Sequence, residues 1–304
     1  MTIGAIQSSR PGPARMFFAI LAAALATTVT ARSQETEQAA RDGRAVEMRR
    51  IADSFSAYRR DGGDRQPIKL RREPLLRWSD TTRQFGDASL WAWGESGRPM
   101  ALVSLELYPE PGGTDAAKWA YEFISLAPGP LDVRGGGDPQ GVVESKSLPS
   151  PTGRIHWTPS TPGLTFREFP GAEPPARSST ARLAQMKEIL KRVSAVAHPN
   201  RIEVLRLMTH PVGRYSDTRA GLIDGAIFAF ASGTNPEVLF LIEGQGPSPD
   251  KALWRYAVAR ITAAPYEVMI DKREVASEPY NGGSNSSSGT YFTTNLPRVK
   301  PASP

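Results

Sequence analysis

Apolar residues recur at three- and four-residue spacing in two places along the chain. Met48, Ile51, Ala52 and Phe55 form one such stripe, and Leu183, Met186, Ile189, Leu190 and Val193 form the other. This is the spacing of one buried helix face. The opposite positions are charged: Arg49, Arg50 and Asp53 in the first stretch, Lys187, Glu188, Lys191 and Arg192 in the second. Each stripe therefore predicts a surface helix with a solvated charged face. After each helix, Gly and Pro residues cut the apolar runs into short segments, which suits an antiparallel meander. Strands are expected at 68–72, 89–93, 101–107 and 120–126, and again at 203–207, 226–231, 238–243, 254–261 and 266–271. Val238 to Ile242 is apolar at every position, so it should be covered on both faces. Ala101, Val103, Leu105 and Leu107 instead alternate with Leu102, Ser104 and Glu106, which makes the second sheet the more central one.

The two stretches echo each other. Sliding Pro74–Glu106 by 137 positions onto Pro211–Glu243 gives ten identities in thirty-three ungapped pairs, among them Arg77/Arg214, Ser79/Ser216, Asp80/Asp217, Thr81/Thr218, Asp87/Asp224 and Glu106/Glu243. The register continues upstream at an offset of 138 (Met48/Met186, Ile51/Ile189) and downstream at 135 (Trp119/Trp254, Tyr121/Tyr256, Val133/Val268). Each small change of offset falls in a turn, as an insertion should. The expected fold class is α+β with an internal duplication, each copy being one helix followed by an antiparallel strand meander. The copies are expected to pack about a pseudo-twofold axis, either sheet against sheet or edge to edge. Repeat 1 then covers 32–134 and repeat 2 covers 178–275. Between them lies a connecting arm, 135–177. The stretch 128–178 holds ten prolines and eight glycines, yet Trp157, Leu164, Phe166 and Phe169 require it to be ordered. Ser178 or Ser179 is placed to cap the second helix. Residues 276–304, rich in Asn, Ser and Gly, read as a disordered tail.

Arg10 and Arg15 precede the uncharged run Met16–Ala31, which ends on Val29-Thr30-Ala31, the form of a secretory signal peptide over 1–31. No other segment approaches the twenty apolar residues of a membrane span, so no transmembrane segment is expected after cleavage. The chain has no cysteine, so its stability rests on a core rather than on disulfides. The formal charge is +6, and +4 once the two N-terminal arginines are removed. Its basic residues are interspersed with acids, which argues against nucleic acid as a partner. His156, His198 and His210 lack metal-ligand spacing. Neither a cofactor fingerprint nor a G-x-S-x-G elbow is present.

Candidate chemistry concentrates in the echoed set Arg77-Trp78-Ser79-Asp80-Thr81 and Arg214-Tyr215-Ser216-Asp217-Thr218. If the two strand ends converge, Asp80 and Asp217 become a carboxylate pair able to divide acid and base roles, the catalytic candidates. The alternative is that each Asp caps a turn while Arg77 and Arg214 pair with carboxylates. Arg77, Arg214, Asp87 and Asp224 are the binding candidates; Glu106 and Glu243 suit a cation or a sugar hydroxyl. Trp91/Trp93 and Phe228/Phe230 line strand faces and serve either the core or a ligand.

The patterns Pro74-Leu75-Leu76-Arg77-Trp78-Ser79-Asp80, Leu90-Trp91-Ala92-Trp93-Gly94 and Gly233-Thr234-Asn235-Pro236-Glu237-Val238 resemble a family of exported bacterial proteins of unknown function. The resemblance covers most of the chain and implies one evolutionary unit, without an activity or site. The reading is an exported, periplasmic or extracellular protein that binds or scaffolds an envelope protein or polymer without catalysis. Its rival is an envelope hydrolase using paired carboxylates.

Overall fold

A computed structural model describes residues 35–80, 85–108, 117–135, 155–198, 202–281 and 286–297. The expected signal peptide over 1–31, Thr81 of the echoed set and most of the expected connecting arm, 136–154, lie outside them. The chain divides into two units, residues 1–47 and 48–304. Of the first, residues 35–47 are described and are helical.

The second unit opens on α1 (48–53), followed by β1 (Ser56–Asp61), β2 (Asp64–Ile68), β3 (Leu76–Asp80), β4 (Phe85–Trp93), β5 (Ala101–Tyr108), β6 (Lys118–Ser125), β7 (Leu131–Gly135), β8 (Ile155–Trp157) and β9 (Arg167–Glu168). Then come α2 (Ser179–Leu190), β10 (Val193–Ala197), β11 (Glu203–Val204), β12 (Arg206–Leu207), β13 (Gly213–Asp217), β14 (Leu222–Ser232), β15 (Asn235–Gln245), β16 (Leu253–Arg260), β17 (Tyr266–Ile270), β18 (Arg273–Glu278) and β19 (Tyr291–Pro297). The strands form four antiparallel sheets in the orders β2-β1-β7-β8, β19-β6-β5-β4-β3, β12-β14-β15-β16-β9 with β13 also on β14, and β11-β10-β17-β18.

Three apolar cores show how the sheets stack. Ala88, Leu90, Ala92 and Leu102 of one large sheet meet Ile227, Ala229, Leu239 and Leu241 of the other. The opposite face of the first large sheet, with Trp91, Trp93, Val103 and Phe123, is covered by β1, β7 and β8 and by Met48 and Ala52 of α1. The opposite face of the second, with Phe228, Phe230, Val238 and Phe240, is covered by β10 and β17 and by Met186, Ile189 and Leu190 of α2. Four layers result. The period of two does the sorting: alternate residues of one strand feed two different cores. Ser178 accepts a bond from the Ala181 amide and caps α2.

The expected α+β class is therefore corrected. Half of the described residues lie in strands of four antiparallel sheets and only two α-helices are described, so the fold is mostly β, not a doubled unit of one helix and a meander. Val193, counted in the second helical stripe, instead opens β10, where Val193, Ala195 and Ala197 turn inward in alternation. In β1 a single apolar residue, Ala57, is buried, too little to mark a strand by periodicity. The strand expected at 68–72 lies earlier, as β2, and the one at 203–207 divides into β11 and β12.

The disordered-tail reading of 276–304 is corrected as well. β19 pairs along the whole of β6, from Tyr291 opposite Ile124 to Pro297 opposite Lys118. It places Phe292 and Leu296 in one core and Tyr291 in another. A chain ending at Asn281 should lose this strand, expose the β6 edge, melt at least several degrees lower and aggregate on heating. Unchanged melting by circular dichroism would show that β19 contributes nothing.

Candidate functional site

The binding candidates pair with one another. Arg77 donates Nε to Asp87 Oδ1 at 3.0 Å and Nη2 to Asp87 Oδ2 at 2.6 Å, tying β3 to β4. Arg214 and Asp224 repeat both distances between β13 and β14. Asp224 also accepts Arg182 Nε at 2.8 Å, which fastens α2 to the sheet. Glu243 is fully buried and takes Arg98 in a fork at 2.6 and 2.7 Å, the Tyr215 hydroxyl at 2.8 Å and Gln245 Nε2 at 2.5 Å. Burial, then the Glu243 charge, push the Tyr215 phenol well above its ordinary pKa, so it remains a donor. Burial works against the Arg98 charge, but the bonds to Glu243 outweigh it and raise its pKa. Glu106 accepts Ser104 Oγ at 3.3 Å and Tyr108 OH at 2.9 Å. Trp91, Trp93, Phe228 and Phe230 are core residues.

The catalytic candidates are kept apart. Asp80 pairs with Phe85 at the start of β4 and lies beside Gly233 of the β14–β15 turn, where a methyl group would sit 3.7 Å from its Oδ2. Asp217 lies beside Gly97, past the other end of β4, 3.5 Å from where a Cβ would stand. β4 has nine residues, so the two carboxylates are separated by roughly 26 Å. They cannot act on one bond. Asp217 accepts the Ala220 amide at 3.3 Å and caps the 3-10 turn Thr218–Ala220, the capping role weighed as the alternative.

The histidines do not converge. His198 Nε2 is 3.3 Å from Glu267 Oε1, and His210 Nδ1 is 3.2 Å from Thr209 Oγ1. His156 Nε2 stands 3.2 Å from Asp132 Oδ1 on the outer face of β7 and β8, where Arg134 (2.8 and 3.0 Å) and Arg65 (3.1 Å) reach the same carboxylate. Burial pushes the Asp132 carboxyl up, but the Arg134 bonds and the Arg134, Arg65 and His156 charges prevail and hold it below the usual range. Among the described residues, no cluster of three His, Cys, Asp or Glu side chains could hold a metal ion. No described helix is long and apolar enough to cross a membrane.

The arrangement with binding character was not read from the sequence. A pocket of about 280 Å³ opens where the ends of β6 and β19 meet β16, β17 and β18, lined by Ser125, Arg260, Tyr266, Glu278, Tyr280 and Tyr291 among others. Arg260 is 9% exposed, and its guanidinium lies 5.6 Å from the centres of both the Tyr266 and Tyr291 rings. It donates Nη2 to the Pro279 carbonyl, its ion-pair partner Glu278 is 3.8 Å away, and its Nε is buried without an acceptor. Ser125 Oγ is likewise buried without a partner. Buried donors left over in this way cost about 1–3 kcal/mol each. Burial, then Glu278 for Tyr266 and Glu122 for Tyr291, raise both phenol pKa values, so both rings stay neutral hydrogen-bonding groups. Gly163 forms one wall: any Cβ there would stand 2.0 Å from the Ser125 carbonyl oxygen, so only glycine lets this loop close on β6. At the downstream offset of 135, Ser125 and Arg260 occupy matching positions. The break in the echo was the available signal, and a search for identities passes over it.

The chain matches no known protein family, no curated protein and no solved structure.

Two measurements follow from the carboxylates. Asp224→Asn, which breaks a buried ion pair shared by two arginines, should cost roughly 3–5 kcal/mol in urea denaturation, whereas the turn-capping Asp217→Asn should cost about 1 kcal/mol or less. Equal costs would remove the distinction drawn between frame and turn. Asp132 has a lowered folded-state pKa, so its stabilisation is present above the ordinary value of 3.8 and is lost as pH falls through the folded value. Asp132→Asn should therefore melt below wild type near neutrality, with the gap closing on acidification; a gap independent of pH would contradict this assignment.

Proposed function

We propose that this is an exported protein of the bacterial envelope that binds an envelope polymer or protein without catalysis, holding one small group of it in the Arg260 pocket. The carrying observation is the pocket itself: an under-neutralised buried guanidinium flanked by two neutral tyrosines, with Tyr280 64% exposed beside it. Concave, largely pre-formed sites with a few convergent polar groups are the usual form of ligand pockets. Support for export comes from the arginine-led apolar run of the first 31 residues and from the resemblance to exported bacterial proteins. The rival hydrolase needs Asp80 and Asp217 within reach of one bond, and they stand at opposite ends of β4.

Thermal shift of residues 32–304 with N-acetylglucosamine, glucuronate and an acetylated tetrapeptide tests this reading. At least one should raise the melting temperature with the logarithm of its concentration, reaching about 2.7 kcal/mol at a hundredfold excess over Kd. Chromatography should recover it unchanged. Absence of any shift, or turnover of a probe, would overturn the proposal.

A further inference from the structure

We propose that the Arg260 pocket recognises the carboxylate of an acidic sugar. This rests on the reading above that the pocket is the ligand site, and it adds the ligand's chemical class.

Five other arginines that are at least partly held in the fold sit directly on carboxylates, while Arg71 is held by the Gly94 and Gly97 carbonyls. Arg77, Arg98, Arg134, Arg182 and Arg214 each have a carboxylate oxygen within 3.0 Å, in a two-pronged fork in all but Arg182. Arg260 is as buried as Arg182, yet its carboxylate stands at 3.8 Å on the half-exposed Glu278. A buried cation stripped of water and given a distant counter-ion is a poor structural element. It is a good receptor for an anion that arrives with the ligand, because the second charge removes the penalty left by the first. The planar guanidinium fork matches a planar carboxylate. Among the described lining residues Arg260 is the single cation, whereas phosphate sites usually combine backbone amides or helix N-termini with their cations.

The rest of the lining selects a hydroxylated ring. Ser125 Oγ, Thr290 and Asn281 are neutral partners for hydroxyl groups, and the Tyr291 phenol, which donates to Glu122 Oε1 at 2.6 Å, can still accept. An apolar peptide side chain would leave Ser125 Oγ unpaired. Tyr280, exposed at the pocket, offers a ring on which a sugar face can lie. About 280 Å³ falls at the lower edge of ligand-pocket sizes and suits one sugar ring. Glu278 competes with the incoming carboxylate for Arg260, so it sets the affinity from the opposite direction.

Calorimetric titration of residues 32–304 with glucuronate, glucose and N-acetylalanine tests the assignment. Wild type should bind glucuronate at least about tenfold tighter than glucose, one charged contact in a partly desolvated site. Arg260→Gln should abolish that preference, Glu278→Gln should tighten glucuronate severalfold without changing glucose, and Tyr280→Ala should weaken both sugars alike. Should Arg260→Gln fail to fold by circular dichroism, Arg260→Lys and Glu278→Gln carry the same test, since a purely structural Arg260 would not make Glu278→Gln a better receptor. Equal affinity for glucose and glucuronate, or a preference that survives Arg260→Gln, would overturn the acidic-sugar assignment while leaving the pocket a binding site. N-acetylalanine binding more tightly than glucuronate would overturn the sugar and point to a peptide carboxylate. Failure of all three probes to bind wild type would overturn this inference together with the reading it rests on.

Discussion

A strand that is apolar on both sides must be covered twice. β15 is such a strand: Leu239 and Leu241 face one core, Val238, Phe240 and Ile242 the other, and all five are inaccessible to solvent. At about 1.5–3 kcal/mol for each such side chain, exposing either side would cost a large share of a domain's net stability. One cover is the first large sheet; the other is α2 with the smaller sheet of β10 and β17. The first large sheet meets the same demand, because Trp91 and Trp93 point away from Ala88, Leu90 and Ala92. Two doubly buried sheets and two covers make four layers, and the chain between β7 and α2 has to reach across them. Its Leu164 and Phe166 pack on the middle core, and Phe169 lies in the core under α2.

Burying so much sheet strands polar groups, and the molecule answers with forks of arginine and carboxylate. Arg77–Asp87 and Arg214–Asp224 cross equivalent strand pairs with the same geometry, and Arg98 carries a guanidinium from the β4–β5 turn into the middle core to meet Glu243. Removing one partner from such a pair is costly because the other stays behind, desolvated. The identities Arg77/Arg214 and Asp87/Asp224 are accounted for by this need, and Ala92/Ala229 and Leu102/Leu239 by the middle core, so these matches between the two stretches mark the frame.

The sequence was informative where strands are long and two-sided. The segments 89–93, 101–107, 226–231 and 238–243 lie inside β4, β5, β14 and β15, and the fully apolar run 238–242 announced its double cover. The outer sheets were not legible for a physical reason. β1 buries one side chain and β2 none, β11 and β12 have two residues apiece, and strands so short are stabilised by ladder bonds to neighbours that no local pattern reveals. β19 sits in a stretch of Ser, Gly and Asn whose composition reads as unstructured, yet Tyr291, Phe292 and Leu296 are enough once β6 offers an edge. Asp80 and Asp217 were paired on the premise that equivalent strand ends meet. They do not, because the β4–β5 and β14–β15 hairpins run in opposite directions across the middle core, each turn lying on the other's opening strand.

That antiparallel overlay also explains where a ligand site can arise. The ends of both sheets are sealed by turns: Gly97 against Asp217, Gly233 against Asp80, and Thr234 Oγ1 bonded to the Ser79 carbonyl at 2.6 Å. At the margin formed by β6, β19 and β16, Ser125 and Arg260 line one pocket with the chain of residues 279–281 alongside. A frame built from matched ion pairs leaves little freedom at its matched positions. Chemistry is free to differ where the match fails, and serine opposite arginine at one open margin is such a place. Arg260, with its carboxylate 3.8 Å away, is the cation at that margin which we propose a partner meets.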